Sequence, residues 1–156
     1  MAHLTETALA RFVSRACQAV KLKGSVNVMI ASSRELRSLN RQFRGKDKVT
    51  DVLSFPVLPG WADGQAGDVA ISADIAAQNA RALGHSPADE VKILALHGVL
   101  HLAGYDHEQD SGEMARKENK LRQLLGLPIG LIQRNSVGRK PPANRGRAKA
   151  HSTRKR

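Results

Sequence analysis

The chain has 156 residues, 41% of them hydrophobic, which is enough for a single domain with a buried core. It contains no apolar run long enough to cross a membrane and no secretory signal after Met1, and Cys17 is its only cysteine. We therefore expect a cytoplasmic protein without an internal disulfide or a thiolate-rich zinc site.

The net charge of +11 is concentrated at the carboxyl end of the chain. Residues 134–156 hold nine of the 25 basic side chains and no acid, whereas residues 1–133 carry 16 basic and 14 acidic side chains. We predict one domain over residues 1–133 and a basic, disordered tail over residues 134–156. Such a tail could bind polyanions through phosphate contacts or could be only a solubilising extension.

The first part of the chain alternates between helix and strand patterns. The predicted elements are a helix over 4–20, a strand over 25–31, a helix from Ser32 to Gly45, strands over 49–57 and 68–71, and a helix from Ser72 to Leu83. The side chains that we expect to face the core here include Val26, Val28, Ile30, Leu36, Leu39 and Phe43.

Two further helices complete an α+β pattern. One begins at Ser86, with Pro87 at its first position, and is apolar almost all round, so we expect it to cross the core. The other covers about 111–125, and its expected buried residues are Met114, Leu121, Leu124 and Leu125.

Three histidines lie within eleven residues of the apolar helix and its end. His97 and His101 are four residues apart, so they occupy one helix face and can share an ion. Gly104 can turn the chain back sharply, which would bring His107 in as a third ligand. We predict one transition metal ion, zinc in the first place, with a coordination position left open as in catalytic sites. Nickel, copper and iron also accept three imidazoles, and chance clustering is the alternative to a metal site.

The histidine spacing also occurs in a large group of zinc proteases, which place a glutamate directly after the first histidine as general base. Gly98 occupies that position here, so a metallopeptidase is the weaker hypothesis. Asp106 could orient an imidazole of the site or could simply be a turn residue.

Arg44 stands out in a basic stretch over residues 34–48 because it lies at a predicted helix end, just before Gly45. A guanidinium there could bind a phosphate group in bidentate fashion. The chain has only five aromatic residues, so few rings are available to stack on bases, and phosphate contacts should dominate any binding of nucleic acid.

Taken together, several segments resemble the bacterial YbeY endoribonucleases. They are the histidine segment, the runs at residues 43–48 and 50–56, the pair Gly67-Asp68, and the run at residues 84–86. The resemblance covers roughly residues 25–125, although family members usually have a short leading strand and lack the basic tail.

The resemblance implies a single-domain α+β fold with a small mixed sheet, one zinc ion on His97, His101 and His107, and a functional arginine at Arg44. It further implies cleavage of single-stranded RNA, maturation of the 3′ end of small-subunit ribosomal RNA, and ribosome quality control on ribosomal particles. The sequence forces no general base: His85 or Asp106 could serve, or zinc-bound hydroxide could attack directly, and attack by the RNA's own 2′-hydroxyl is equally open. A ribosome-assembly factor with a mainly structural metal is the alternative to an enzyme.

Overall fold

A computed structural model describes residues 4–57, 64–106 and 108–128. Within these ranges the chain forms five helices and three strands, in the order α1 Glu6–Ala19, β1 Ser25–Ala31, α2 Ser33–Arg44, β2 Val52–Pro56, β3 Gln65–Ser72, α3 Ala73–Leu83, α4 Pro87–Leu102 and α5 Glu113–Leu125. The predicted α+β class is confirmed. The predicted loop around Trp61, the residue His107 and the tail over 134–156 lie outside the described residues.

The described strands form one mixed sheet in the order β1-β3-β2. The central strand β3 runs parallel to β1 and antiparallel to β2. Side chains alternate between the two faces of β3, since Val69 and Ile71 join the core of α1, α4 and α5, whereas Ala70 joins a smaller core with Leu36 of α2. Helices therefore cover both faces of the sheet.

The helices begin and end where the sequence places caps. Ser32, Ser72 and Ser86 each accept a hydrogen bond from the backbone N–H three residues on, at 3.1–3.2 Å. Gly45 and Gly84 close α2 and α3 with φ of 65° and 74°, a conformation that glycine adopts without a steric penalty. These local signals explain why the predicted helix boundaries agree closely with the structure.

Helix α4 is the central buried element, as its nearly continuous apolar sequence predicts. Residues from Ile93 to Val99 along it are buried, and it packs on β2, β3, α1, α3 and α5. No helix in the described ranges is both long enough and apolar enough to span a bilayer.

Three residues that we expected in the core are exposed instead. Phe43 is 62% exposed because it lies in the last turn of α2, where it meets the ring of Phe55 rather than the sheet core. Ile30 is 47% exposed although Val26 and Val28 pack against the main core. Leu124 is 68% exposed, because the face of α5 that packs inward carries Met114 and Leu121, which lie about 80° and 60° from Leu124 around the helix.

Candidate active site

The two described histidines of the predicted metal site face each other on α4. Their Nε2 atoms are 3.1 Å apart, and the rings meet edge to face with centroids 4.7 Å apart. His97 is only 9% exposed, whereas His101 is half-buried. One helical turn between the residues produces this pairing, as their spacing predicts.

This pair of nitrogens fits a metal ion. Two imidazole nitrogens bound tetrahedrally to zinc at about 2.0–2.1 Å lie about 3.3 Å from each other, close to the 3.1 Å between His97 and His101. No cluster of three or more candidate ligand side chains occurs among the residues that the structure describes. The third ligand that we predict, His107, is outside them, so the three-histidine site stays a prediction.

The end of α4 has the turn that the sequence predicts. Gly104 adopts φ 96°, its N–H donates to the His101 carbonyl at 3.0 Å, and the Tyr105 N–H donates to the Leu100 carbonyl at 3.1 Å. This pattern is a Schellman closure, which reverses the chain directly after the second histidine. Asp106 then accepts the Glu108 N–H at 3.0 Å through Oδ1, which supports the turn role that we gave as one of its two alternatives.

A buried carboxylate stands behind His97. Glu118 of α5 is 1% exposed, and its Oε1 lies 3.6 Å from His97 Nδ1. In metal sites a carboxylate at this ring nitrogen fixes the orientation and tautomer of the ligand imidazole. Sequence reasoning missed Glu118, because a charged residue in a surface helix normally faces solvent. Its spacing of four after Met114 and three before Leu121 was the available signal.

Gly98 allows α4 to lie directly on the sheet. A Cβ atom at this position would come within 2.6 Å of Val69 Cγ1 and 3.1 Å of Ser54 Oγ. The same close approach lets the Ser54 hydroxyl donate to the Gly98 carbonyl at 3.0 Å. A side chain at the position after the first histidine would therefore force Val69 to move, and a glutamate is much larger than a single Cβ atom.

A cavity of about 570 Å³ opens in front of the histidines. It brings together residues of four segments: Phe43 and Arg44 at the end of α2, the stretch from Thr50 to Pro56, the histidines and Leu102 of α4, and Asp106 with Glu108. The structure thus places Arg44, His97 and His101 around one space, although they lie far apart in the sequence.

The segment after α2 holds Arg44 at the mouth of this cavity. The buried Asn40 donates through Nδ2 to the Lys48 carbonyl at 3.1 Å, and Lys46 donates its N–H to the Asn40 carbonyl at 3.3 Å. An exposed ion pair from Arg37 Nε to Asp47 Oδ1, at 2.7 Å, ties the same segment to the helix. Arg44 itself is exposed and has its guanidinium available to a ligand at the cavity.

Asp51 is a second carboxyl group that the sequence did not single out. It lines the cavity, and burial raises the pKa of its side chain, an effect that the nearby His97 partly offsets. The Asp51 carbonyl accepts the Ser72 N–H at 2.8 Å, which fixes the backbone of this residue beside the sheet. A half-buried carboxyl group with a raised pKa at a polar cavity is suited to holding a proton.

His85 does not line the cavity. Its ring pairs through Nε2 with Glu90, a fully buried residue near the start of α4, and Asn79 donates to the other oxygen of Glu90 at 3.5 Å. The interpretation of His85 as a candidate general base at this site is therefore not supported, because its ring is engaged in a buried contact away from the cavity.

Comparisons with known proteins show which family this chain is similar to. A model of the family described as endoribonuclease YbeY matches residues 2–126. The chain belongs to the YbeY family. The resemblance that the sequence motifs suggest is thus confirmed at the level of the family.

Individual relatives cover most of the chain. An endoribonuclease YbeY from Koribacter versatilis is 53% identical over 145 residues, which are 93% of either chain. An endoribonuclease YbeY from Solibacter usitatus is 48% identical over 134 residues, which are 85% of this chain and 88% of the other. The solution structure of a Thermotoga maritima protein is 30% identical, with a TM-score of 0.53 over 92% of this chain and 96% of the other. The α+β fold is therefore shared with an experimentally determined structure.

Proposed function

We propose that this member of the YbeY family is a zinc-dependent endoribonuclease that cleaves single-stranded RNA. The observation that carries the proposal is the joint position of Arg44 and the facing nitrogens of His97 and His101 around one cavity. The family's description as endoribonucleases supports the choice of RNA as substrate.

One zinc ion would be held by His97 and His101, with His107 as the third ligand. Bound there, zinc would supply Lewis-acid activation of a phosphoryl oxygen and of water. Glu118 would hold the His97 ring in its ligand orientation from the side away from the cavity.

The remaining steps belong to the side chains of the cavity. Arg44 would bind the phosphate with its planar pair of N–H donors and stabilise the negative charge that grows on it in the transition state. The Asp51 carboxyl would accept or return the proton of the attacking or leaving oxygen, since it lines the cavity and desolvation raises its pKa.

In the cell we propose ribosomal RNA as the substrate, with processing of the small-subunit 3′ end and quality control of ribosomal particles in the cytoplasm. The basic tail over residues 134–156 would add affinity for these polyanions.

The metallopeptidase alternative is disfavoured by the contacts of Gly98. A glutamate base would require a side chain where a Cβ atom alone meets Val69 at 2.6 Å. The assembly-factor alternative is separated from the enzyme by activity, because a structural metal supports binding without cleavage.

The test uses end-labelled RNA of one sequence in single-stranded and duplex form. We expect the wild-type chain to cleave only the single strand, and Arg44→Ala to lose at least tenfold in rate while it keeps its metal. The matched control is Arg34→Ala, an exposed arginine at the start of α2 that is absent from the cavity lining. A folded, zinc-loaded wild type that binds RNA without cutting it would favour the assembly factor instead.

A further inference from the structure

Two aromatic rings form the apolar rim of the cavity. Phe43 and Phe55 meet edge to face, with centroids 5.6 Å apart and an interplanar angle of 67°. Phe55 is half-buried on β2 and packs against the smaller core, whereas Phe43 is 62% exposed. The inner ring thus supports the outer one, and the outer ring presents much of its surface to solvent.

Packing does not account for the position of Phe43. A phenylalanine that served the core would bury its ring, since aromatic side chains contribute to stability mainly through buried area. Among the described residues, the ring lines the cavity and contacts one aromatic ring, that of Phe55, and the next residue along the chain is Arg44. A cation and an exposed ring therefore stand side by side at the entrance to the site.

This pairing matches the chemistry of single-stranded nucleic acid. Proteins that bind single strands combine cations for the phosphates with aromatic rings on which successive bases stack. A base in a duplex is already stacked on its neighbours and must first be extruded, at a cost of a few kcal/mol. An exposed ring next to the phosphate-binding arginine would thus favour an unpaired strand over a duplex.

We propose that Phe43, supported by Phe55, stacks on an unpaired base adjacent to the phosphate bound by Arg44, and that this contact sets the preference for single-stranded RNA. The inference rests on the proposed function, because it assumes that RNA enters this cavity. It revises our expectation that phosphate contacts alone dominate binding, since two of the chain's five aromatic residues lie at the site.

The test measures binding rather than cleavage. The probe is a fluorescently labelled, phosphorothioate-linked single-stranded oligoribonucleotide that resists hydrolysis, and the protein is the full chain loaded with zinc. Loss of one stacked base corresponds to about a 5- to 150-fold loss of affinity. We expect Phe43→Leu to weaken single-strand binding within this range and to leave binding to the matching duplex unchanged. Phe43→Trp should keep or strengthen single-strand binding.

An abasic scan then identifies the partner of the ring. One abasic position should weaken binding to the wild type but add no further loss to Phe43→Leu, because the two changes remove the same contact. The control is Leu83→Ala, an exposed apolar residue at the end of α3 that does not line the cavity.

The outcomes separate this inference from the proposed function. The stacking contact would be overturned if the wild type and Phe43→Leu bind the single strand equally well. It would also be overturned if the affinity losses from the abasic position and from Phe43→Leu simply add. Either result would leave the endoribonuclease proposal intact. Equal losses of single-strand and duplex affinity would also overturn the stacking contact. A wild type that binds no RNA would overturn both.

Discussion

Removal of the carboxylate behind His97 gives a specific test of the proposed metal site. Glu118 is 1% exposed, and its Oε1 lies 3.6 Å from His97 Nδ1, on the side of the ring opposite the nitrogen that faces His101. Loss of such a partner typically lowers metal affinity by about 10- to 100-fold, which corresponds to about 1.4–2.7 kcal/mol. We expect Glu118→Ala to show a loss in this range. Glu118→Gln should lose less, because its amide oxygen can still accept from the imidazole N–H.

Competition with a chromophoric chelator would measure the zinc affinity, and urea unfolding would measure stability in parallel. The matched control is Glu113→Gln, since Glu113 lies on the same helix with its side chain 53% exposed, and a glutamine oxygen can still accept the Ser111 N–H that Glu113 accepts at 2.7 Å. A buried charge is costly to keep, so Glu118→Gln can leave stability unchanged or even raise it. Zinc affinity within twofold of the wild type in Glu118→Ala would refute the orienting role of this carboxylate.

Two further predictions concern the scaffold of the site. Gly98→Ala should destabilise the fold by about 1–2 kcal/mol in urea unfolding, because a clash with Val69 at 2.6 Å outweighs the gain of about 1 kcal/mol from replacing a helical glycine. Adding Val69→Ala to this variant should recover part of the lost stability. If Gly98→Ala alone is more stable than the wild type, the close contact with Val69 is contradicted. Hydrogen bonds from Ser33 lower the pKa of Asp74, so the Asp74 carboxylate contributes stability that is lost as the pH falls through this lowered pKa. Asp74→Asn should therefore be less stable than the wild type at pH 7. The difference in unfolding free energy between the two proteins should shrink below about pH 4, and an equal difference at pH 7 and pH 3 would be inconsistent with a role for the carboxylate.

Local sequence signals were sufficient for most of the fold. Serine caps and terminal glycines set the helix ends within a few residues, and the continuous apolar sequence of α4 identified the buried central helix. Such features act over one or two helical turns, so they can be recognised without tertiary information.

Tertiary packing, which the sequence alone does not specify, determines which residues of α2 and α5 are buried. Phe43 continues the apolar stripe of α2, but its ring meets Phe55 at the cavity and stays exposed instead of entering the core. On α5, Glu118 faces inward in place of Leu124, because the buried stripe follows Met114 and Leu121.

The candidate site was predictable where its residues lie on one helix and not where segments converge. The pairing of His97 with His101 follows directly from their spacing. The contributions of Asp51 and Glu118 depend on how β2 and α5 pack against α4, which no local pattern specifies.

Under the proposed function, one metal ion on the histidines makes this protein a ribonuclease. The most direct test of this claim is to add zinc stepwise to chelator-stripped protein and to follow the cleavage rate of single-stranded RNA. The rate should rise linearly and level off at one equivalent of zinc per chain, and His101→Ala should remain inactive over the same range. Full cleavage by the stripped protein, or binding of one equivalent of zinc without any cleavage, would contradict the claim.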